Sequence, residues 1–272
     1  MTDEIWRKPF KRFIGHMEDS ERLTKLTYHG IEGVAALVDI GGILNDYKRD
    51  EDLGRRDEGP NLKDLSAAEI SSGFPLLHAH AIMGEWGALE CLIEDLVESW
   101  VQFKPEVLEG AAFSRVRIPL ASFLSLSEGE RAKLLIFEVQ RDLKVDLISG
   151  ATKFEKILDV IGLGGPVDPR VRDALYEAQN VRNVWAHRGG IADRRLIEAC
   201  PTLGLMEGDK VNIGRMEFSR YRDALWVYAA TVLNRCLTLL GKEPVYLNVS
   251  GFEGALGVTA PAIPKMLDNP EG

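Results

Sequence analysis

The stretch DPRVRDALYEAQNVRNVWAHRGG, residues 168–190, decides the fold class. Asp168 followed by Pro169 is a helix start: a side-chain acceptor for the orphan N–H groups, then a ring that fixes φ at a helical value. Val171, Leu175, Ala178, Val181 and Trp185 recur at threes and fours and make one apolar stripe. Gly189-Gly190 stops the helix. His187 and Arg188 occupy its last turn, where the helix dipole favours cations by about 0.3–1 kcal/mol at a surface.

A helix with one apolar stripe needs partners, and the flanking sequence supplies more helices. Downstream, a long helix over about Glu217 to Leu240 carries Phe218, Tyr221, Leu225, Tyr228, Val232, Cys236 and Leu239 on one side. Upstream, Gly162-Leu-Gly-Gly-Pro166 ends a helix capped by Ser149. It lacks the Lys-Ser/Thr of a phosphate loop. Ser127-Glu-Gly-Glu130 has capping-box spacing and opens a helix through Val145. A long helix starts near Ala67 or Pro75 and reaches Phe103, with Leu77, Ala81, Gly84, Leu89, Leu92, Ile93, Leu96 and Trp100 inward. Another covers Ser20 to Asn45, with Leu23, Leu26, Gly30, Val34, Leu37, Val38 and Gly41 as its stripe.

The remaining pieces are small. Lys48 to Gly59 reads as a solvated loop and Arg115-Val-Arg-Ile-Pro119 as a short extended segment. Leu203–Met206 and Lys210–Ile213 flank Glu207-Gly208-Asp209, which predicts a small β-hairpin. Prolines at 244, 261, 264 and 270 imply an irregular tail. The expectation is an all-α protein: an N-terminal arm over 1–19, a helical domain over 20–241, and a tail over 242–272.

Composition narrows the function. The 272 residues hold 33 Lys+Arg against 42 Asp+Glu, a formal net charge of −9, with 45% hydrophobic and 28% charged residues. That is a globular chain long enough for a sizeable core. It is not one that coats nucleic acid with its whole surface, although a local basic cleft remains compatible with it. Cys91, Cys200 and Cys236 have neither disulfide nor zinc spacing, and read as small hydrophobes in a reducing compartment. Glu85 interrupts one apolar stretch and Asn234-Arg235 another, so neither reaches the roughly 20 residues of a membrane span. The charged N-terminus is unlike a signal peptide, so a cytoplasmic protein without membrane contact is expected.

Chemistry concentrates in Asn180-Val-Arg-Asn-Val-Trp-Ala-His-Arg-Gly-Gly-Ile-Ala-Asp193. Arg182 lies at the edge of the apolar stripe, where a guanidinium needs a partner or a polar cleft. Arg182 and His187 are five apart, about 140° round an ideal helix, and do not share a face; Asn183 and His187, four apart, do. Spacing alone leaves two readings open. Arg182 can pair with a neighbouring carboxylate while His187 and Arg188 complement the helix terminus, or the group can be catalytic.

The string Arg182-Asn183-Val-Trp-Ala-His187 resembles the Arg-x4–6-His motif of the HEPN superfamily (higher eukaryotes and prokaryotes nucleotide-binding), whose arginine is often followed by Asn. His187-Arg-Gly-Gly-Ile-Ala-Asp193 is similar to the His-x-Gly-Gly-x-x-Asp ending of uncharacterised bacterial members. Glu85-Trp-Gly-Ala-Leu-Glu90 resembles part of the paired helix in such proteins. The likeness in organisation runs from residue 70 to 240, but the fourteen residues Asn180–Asp193 carry it specifically.

The resemblance implies an all-helical, HEPN-like bundle that forms a homodimer and brings two motifs to one cleft. It also implies a metal-independent endoribonuclease without cofactor, acting as a toxin or antiviral effector with RNA as substrate and an antitoxin or defence protein as partner. In-line attack by the RNA 2′-OH needs a proton acceptor, a donor for the leaving oxygen, and positive charge on the phosphorane. Arg182, Asn183 and His187 are then the catalytic residues, with Arg188, Arg194 and Arg195 holding substrate. Members silenced by nucleotide transfer carry a tyrosine two residues after the histidine; here that residue is Gly189, so such control is not implied. The competing reading is a non-catalytic, HEPN-like nucleotide-sensing or interaction module.

Other polar groups carry less. His78 and His80 are about 200° apart on a helix and cannot jointly hold a metal. Glu90, Glu94 and Glu98 form a row at i, i+4 that reads as a solvated face. Nothing local activates Cys200. Arg7, Lys8, Lys11 and Arg12, interleaved with Phe10 and Phe13, read as a solvated or aromatic-packed arm.

Overall fold

The computed structural model describes residues 4–47 and 62–244, and for Glu4, 35–47 and Asp146 the backbone alone. Ten α-helices form among them: α1 (Glu4–Tyr47), α2 (Leu62–Ser72), α3 (Pro75–Phe103), α4 (Ala111–Ser114) and α5 (Leu120–Leu124). They continue with α6 (Glu128–Asp142), α7 (Ala151–Asp159), α8 (Pro169–Arg188), α9 (Arg194–Ala199) and α10 (Arg215–Leu239). The architecture is all-α. Long α3 is the axis, and α1, α6, α7, α8 and α10 pack around it. Among the described residues no helix is long and apolar enough to cross a membrane.

Local chemistry accounts for several boundaries. Asp168 caps α8, accepting from the Arg170 N–H at 2.9 Å, and Pro169 follows at the first turn. Ser127 and Glu130 form the expected capping box on α6, which ends at Asp142 and not Val145. Gly73 and Phe74 both take positive φ ahead of Pro75, so α2 and α3 are separate helices. The core gathers Trp6, Phe10 and Phe13 of α1, Trp86 and Trp100 of α3, Phe154 of α7, and Tyr221 and Tyr228 of α10. Phe154 bridges Trp86 and Tyr228 at 5.6 and 5.9 Å between ring centroids.

Four expectations need correction. No separate arm precedes Ser20 among the described residues, because α1 runs unbroken from Glu4 and buries Trp6, Phe10, Phe13 and Met17 at helical spacing. The stripe assigned to α1 is out of phase: Leu23 and Leu26 are each 63% exposed, whereas Thr24 is buried. The large aromatics choose the seam, and it continues in register through Met17 to Thr24. Leu37, Val38 and Gly41 of that stripe lie outside the described side chains, as do the loop from Lys48 to Gly59 and residues 245–272 of the tail.

The other two concern caps and strands. Gly150, not Ser149, precedes α7. Its N–H donates to Gln179 Oε1 of α8, and a Cβ there would lie 3.0 Å from the Tyr176 Cα. Only glycine fits that approach at φ +68°. The hairpin over 203–213 does not form; Pro201–Leu203 is a 3-10 turn. Residues 208–211 pair instead with 190–192, through Val211 N–H to Gly190 O and Ala192 N–H to Asp209 O, both 2.8 Å. Arg115–Pro119 is irregular backbone after the end of α4.

Candidate functional site

The site is built by the way α8 stops. Gly189 takes φ +60° as the C-cap, and Gly190 follows at φ +77° with its N–H on the Val184 carbonyl at 3.2 Å. A Cβ on Gly190 would meet the Trp185 ring at 2.8 Å, so the chain turns flat against that indole. Lys210 closes the turn, donating to Gly189 O at 2.6 Å and standing 4.3 Å over the Trp185 ring. The bridge at Ile191 then returns the chain, and Asp193 caps α9 through the Leu196 N–H at 2.9 Å.

Between the last turns of α8 and the first turn of α9 lies a cavity of about 290 Å³. Asn180, Asn183, Val184 and His187 line it from α8, and Arg195 and Leu196 from α9. Arg188 and Asp193 line it too and form a loose ion pair of 3.7 Å. The structure therefore brings together four residues expected at a site: Asn183, His187, Arg188 and Arg195. The His187 side chain is exposed and makes no hydrogen bond among the described residues. Arg195 is exposed and has no ion pair there.

Two expected residues lie elsewhere. Arg194 is on the outer face of α9, bonded to Glu198 at 2.7 Å. Arg182 does not line the cavity. Its side chain is 26% exposed and turns toward α3, with one guanidinium nitrogen 4.0 Å from Glu90 Oε2. Another donates to Asn183 Oδ1 at 3.1 Å, while Nε is buried without a hydrogen bond. Glu90 is shared, since Lys153 Nζ reaches its other oxygen at 2.9 Å. The separation of Arg182 and His187 follows the 140° between them. The Glu90 row is thus partly an ion-pair seam, with Glu98 3.6 Å from Lys133; burial raises the Glu94 carboxyl.

Asn180, Val184, Asp193 and Leu196 were not assigned roles from the sequence. Asn180–Asn183–His187 at i, i+3, i+7 was the available signal for the first, because these residues share one helix face. Leu196 had no local signal.

The remaining candidates are structural. His78 is buried, donating from Nδ1 to Ile213 O at 2.6 Å, accepting from Tyr28 at Nε2, and stacked on Phe218 at 4.5 Å. Desolvation lowers its pKa. Burial pushes the Cys200 thiol up to about 11, the opposite of an activated nucleophile. Among the described residues no three His, Cys, Asp or Glu side chains are grouped to hold a metal. Comparison with family models, curated proteins and solved structures finds no match.

Proposed function

We propose that this chain is a metal-independent endoribonuclease of HEPN type, a toxin or phage-defence effector working as a homodimer in the cytoplasm. The observation that carries the reading is the cavity at the end of α8, lined by Asn183, His187, Arg188 and Arg195. His187 takes the 2′-OH proton as that oxygen attacks phosphorus. The bond to the 5′ oxygen breaks, a 2′,3′-cyclic phosphate forms, and the leaving oxygen takes a proton from the second copy's imidazolium. Arg188 and Arg195 meet phosphate oxygens, so the basic charge is local on an acidic protein. Arg182 serves this scheme by fixing the Asn183 amide, or by leaving Glu90 when RNA binds.

A specific observation favours the second reading, a non-catalytic nucleotide-sensing or interaction module: Arg182 already faces a carboxylate and lies off the cavity. Incubation of the full chain with several unstructured RNAs in excess EDTA decides between them. The expected result is fragments ending in 2′,3′-cyclic phosphate, no cutting of DNA, and no cutting by His187→Ala. RNA left intact by the wild type, or cut equally by the variant, hands the site to the module.

A further inference from the structure

We infer that the cavity below His187 receives one unpaired nucleobase, recognised along its hydrogen-bonding edge by Asn180 and Asn183. This rests on the reading of the cavity as the place where a nucleotide sits, and adds what that nucleotide must offer.

The two amides have fixed orientations. The atom of Asn180 that contacts the Tyr176 carbonyl at 2.9 Å must be its N–H group, because a carbonyl only accepts. Its oxygen is the group left for a ligand, and the residue is only 7% exposed. Conversely, the atom of Asn183 facing the Arg182 guanidinium at 3.1 Å must be its oxygen, because guanidinium only donates. Its NH₂ is left over. Asn180 and Asn183 lie one turn apart on α8 and both line the cavity, so one acceptor and one donor are left there for a ligand. The pairing edge of a nucleobase carries adjacent donor and acceptor groups, in one order from the exocyclic group in adenine and cytosine and in the reverse order in guanine and uracil, so a fixed pair prefers one class when the sugar is held at the rim; a duplex would already have used that edge.

The rest of the lining agrees. Val184 and Leu196, both buried, give apolar contact to the faces of a flat ring. The volume of about 290 Å³ lies just below the ~300–1,000 Å³ of small-molecule sites, suiting one base and its sugar but not a stack. Arg188, Arg195 and His187 stand at the exposed rim, where the phosphate of the same nucleotide would lie. The shared chemistry is a ribonucleoside 5′-monophosphate unit, either within a single strand or free.

The test titrates the full chain with each of the four ribonucleoside 5′-monophosphates. Parallel titrations use a 2′-O-methyl hexaribonucleotide, which cannot be cut, as single strand and as duplex. Saturable binding with at least a fivefold preference among bases is expected, and the duplex should bind at least tenfold more weakly than the strand. Asn180→Leu should lose tenfold or more and flatten the base preference. Arg195→Ala, at an exposed position, should weaken all bases alike and serves if the Asn180 variant does not fold. Monophosphates bound without the strand identify a free nucleotide as the ligand; both bound identify RNA; either outcome supports the base pocket.

No saturable binding of any probe overturns the inference, as does duplex bound as well as strand. So do unchanged base preference and affinity in a folded Asn180→Leu. RNA cut at unchanged positions by that variant sinks the base pocket while leaving the nuclease standing. Base-selective binding without cleavage in EDTA does the reverse.

Discussion

At the scale of single residues, His187 and Arg182 separate chemistry from stability. The His187 side chain is exposed and bonded to nothing described, so His187→Ala should leave the melting temperature unchanged while the proposed RNA cleavage falls by about 10²–10⁴-fold, the usual worth of general acid–base help. Arg182→Ala should also abolish cleavage, but with a small loss of stability, since Glu90 keeps Lys153 at 2.9 Å. A gel assay and a thermal melt on each variant check both. Glu85 is the residue whose protonation the fold feels most plainly. It is 0% exposed between Ser20 and Arg222, with one oxygen unbonded, and desolvation raises its carboxyl from 4.5 to about 7 despite Arg222. A carboxyl that binds its proton more tightly folded than unfolded favours folding at low pH. That contribution is lost as pH rises from 4.5 to about 7 and is flat above. Glu85→Gln does not titrate, so its stability relative to wild type should rise between pH 5 and pH 8. Denaturant unfolding at the two pH values measures it; a constant difference would contradict the burial argument.

At the scale of the element, α8 is held at both ends by chemistry that single substitutions can remove. Asp168→Ala should cost about 1 kcal/mol, the worth of an N-cap, and leave the cavity intact. Gly190→Ala is the harsher change, because it combines φ +77° with a Cβ 2.8 Å from the Trp185 ring. It should destabilise by about 1–3 kcal/mol and loosen the turn that carries α9 back over the site. Chemical unfolding of both variants, with RNA cleavage alongside, tests whether the turn positions Arg195 and Leu196. Cleavage retained by a folded Gly190→Ala would detach the turn from function. Both ends of this helix were legible in the sequence, since caps and glycine stops act over three or four residues. The stripe of α1 was not: a helix can show two runs at helical spacing, and which one is buried depends on the neighbour. Trp6, Phe10 and Phe13 outweigh Leu23 and Leu26 in apolar area, so they took the seam.

At the scale of the whole molecule, one chain holds one His187, and its Arg182 faces Glu90, away from the cavity. The cleavage proposed above, which needs an acceptor and a donor, therefore calls on a second copy. Light scattering at micromolar concentration should give the mass of a two-fold dimer, twice 30.2 kDa. A monomer that still cuts RNA would remove the shared-site model, and activity lost in EDTA would move attention from His187 to the carboxylates of α3.

The sequence by itself determined the all-α class, the extent of α8 and the grouping of Asn183, His187 and Arg188 at its end, because periodicity, caps and stops are local. The tertiary structure alone decided three things. It set the phase of α1, which depends on the larger aromatic surface. It paired 208–211 with 190–192, because backbone groups left open after the glycine turn bond whatever extended segment returns beside them. It made Asn180 and Leu196 into walls of one cavity, because α9 folds back only after Gly189 and Gly190 have turned the chain.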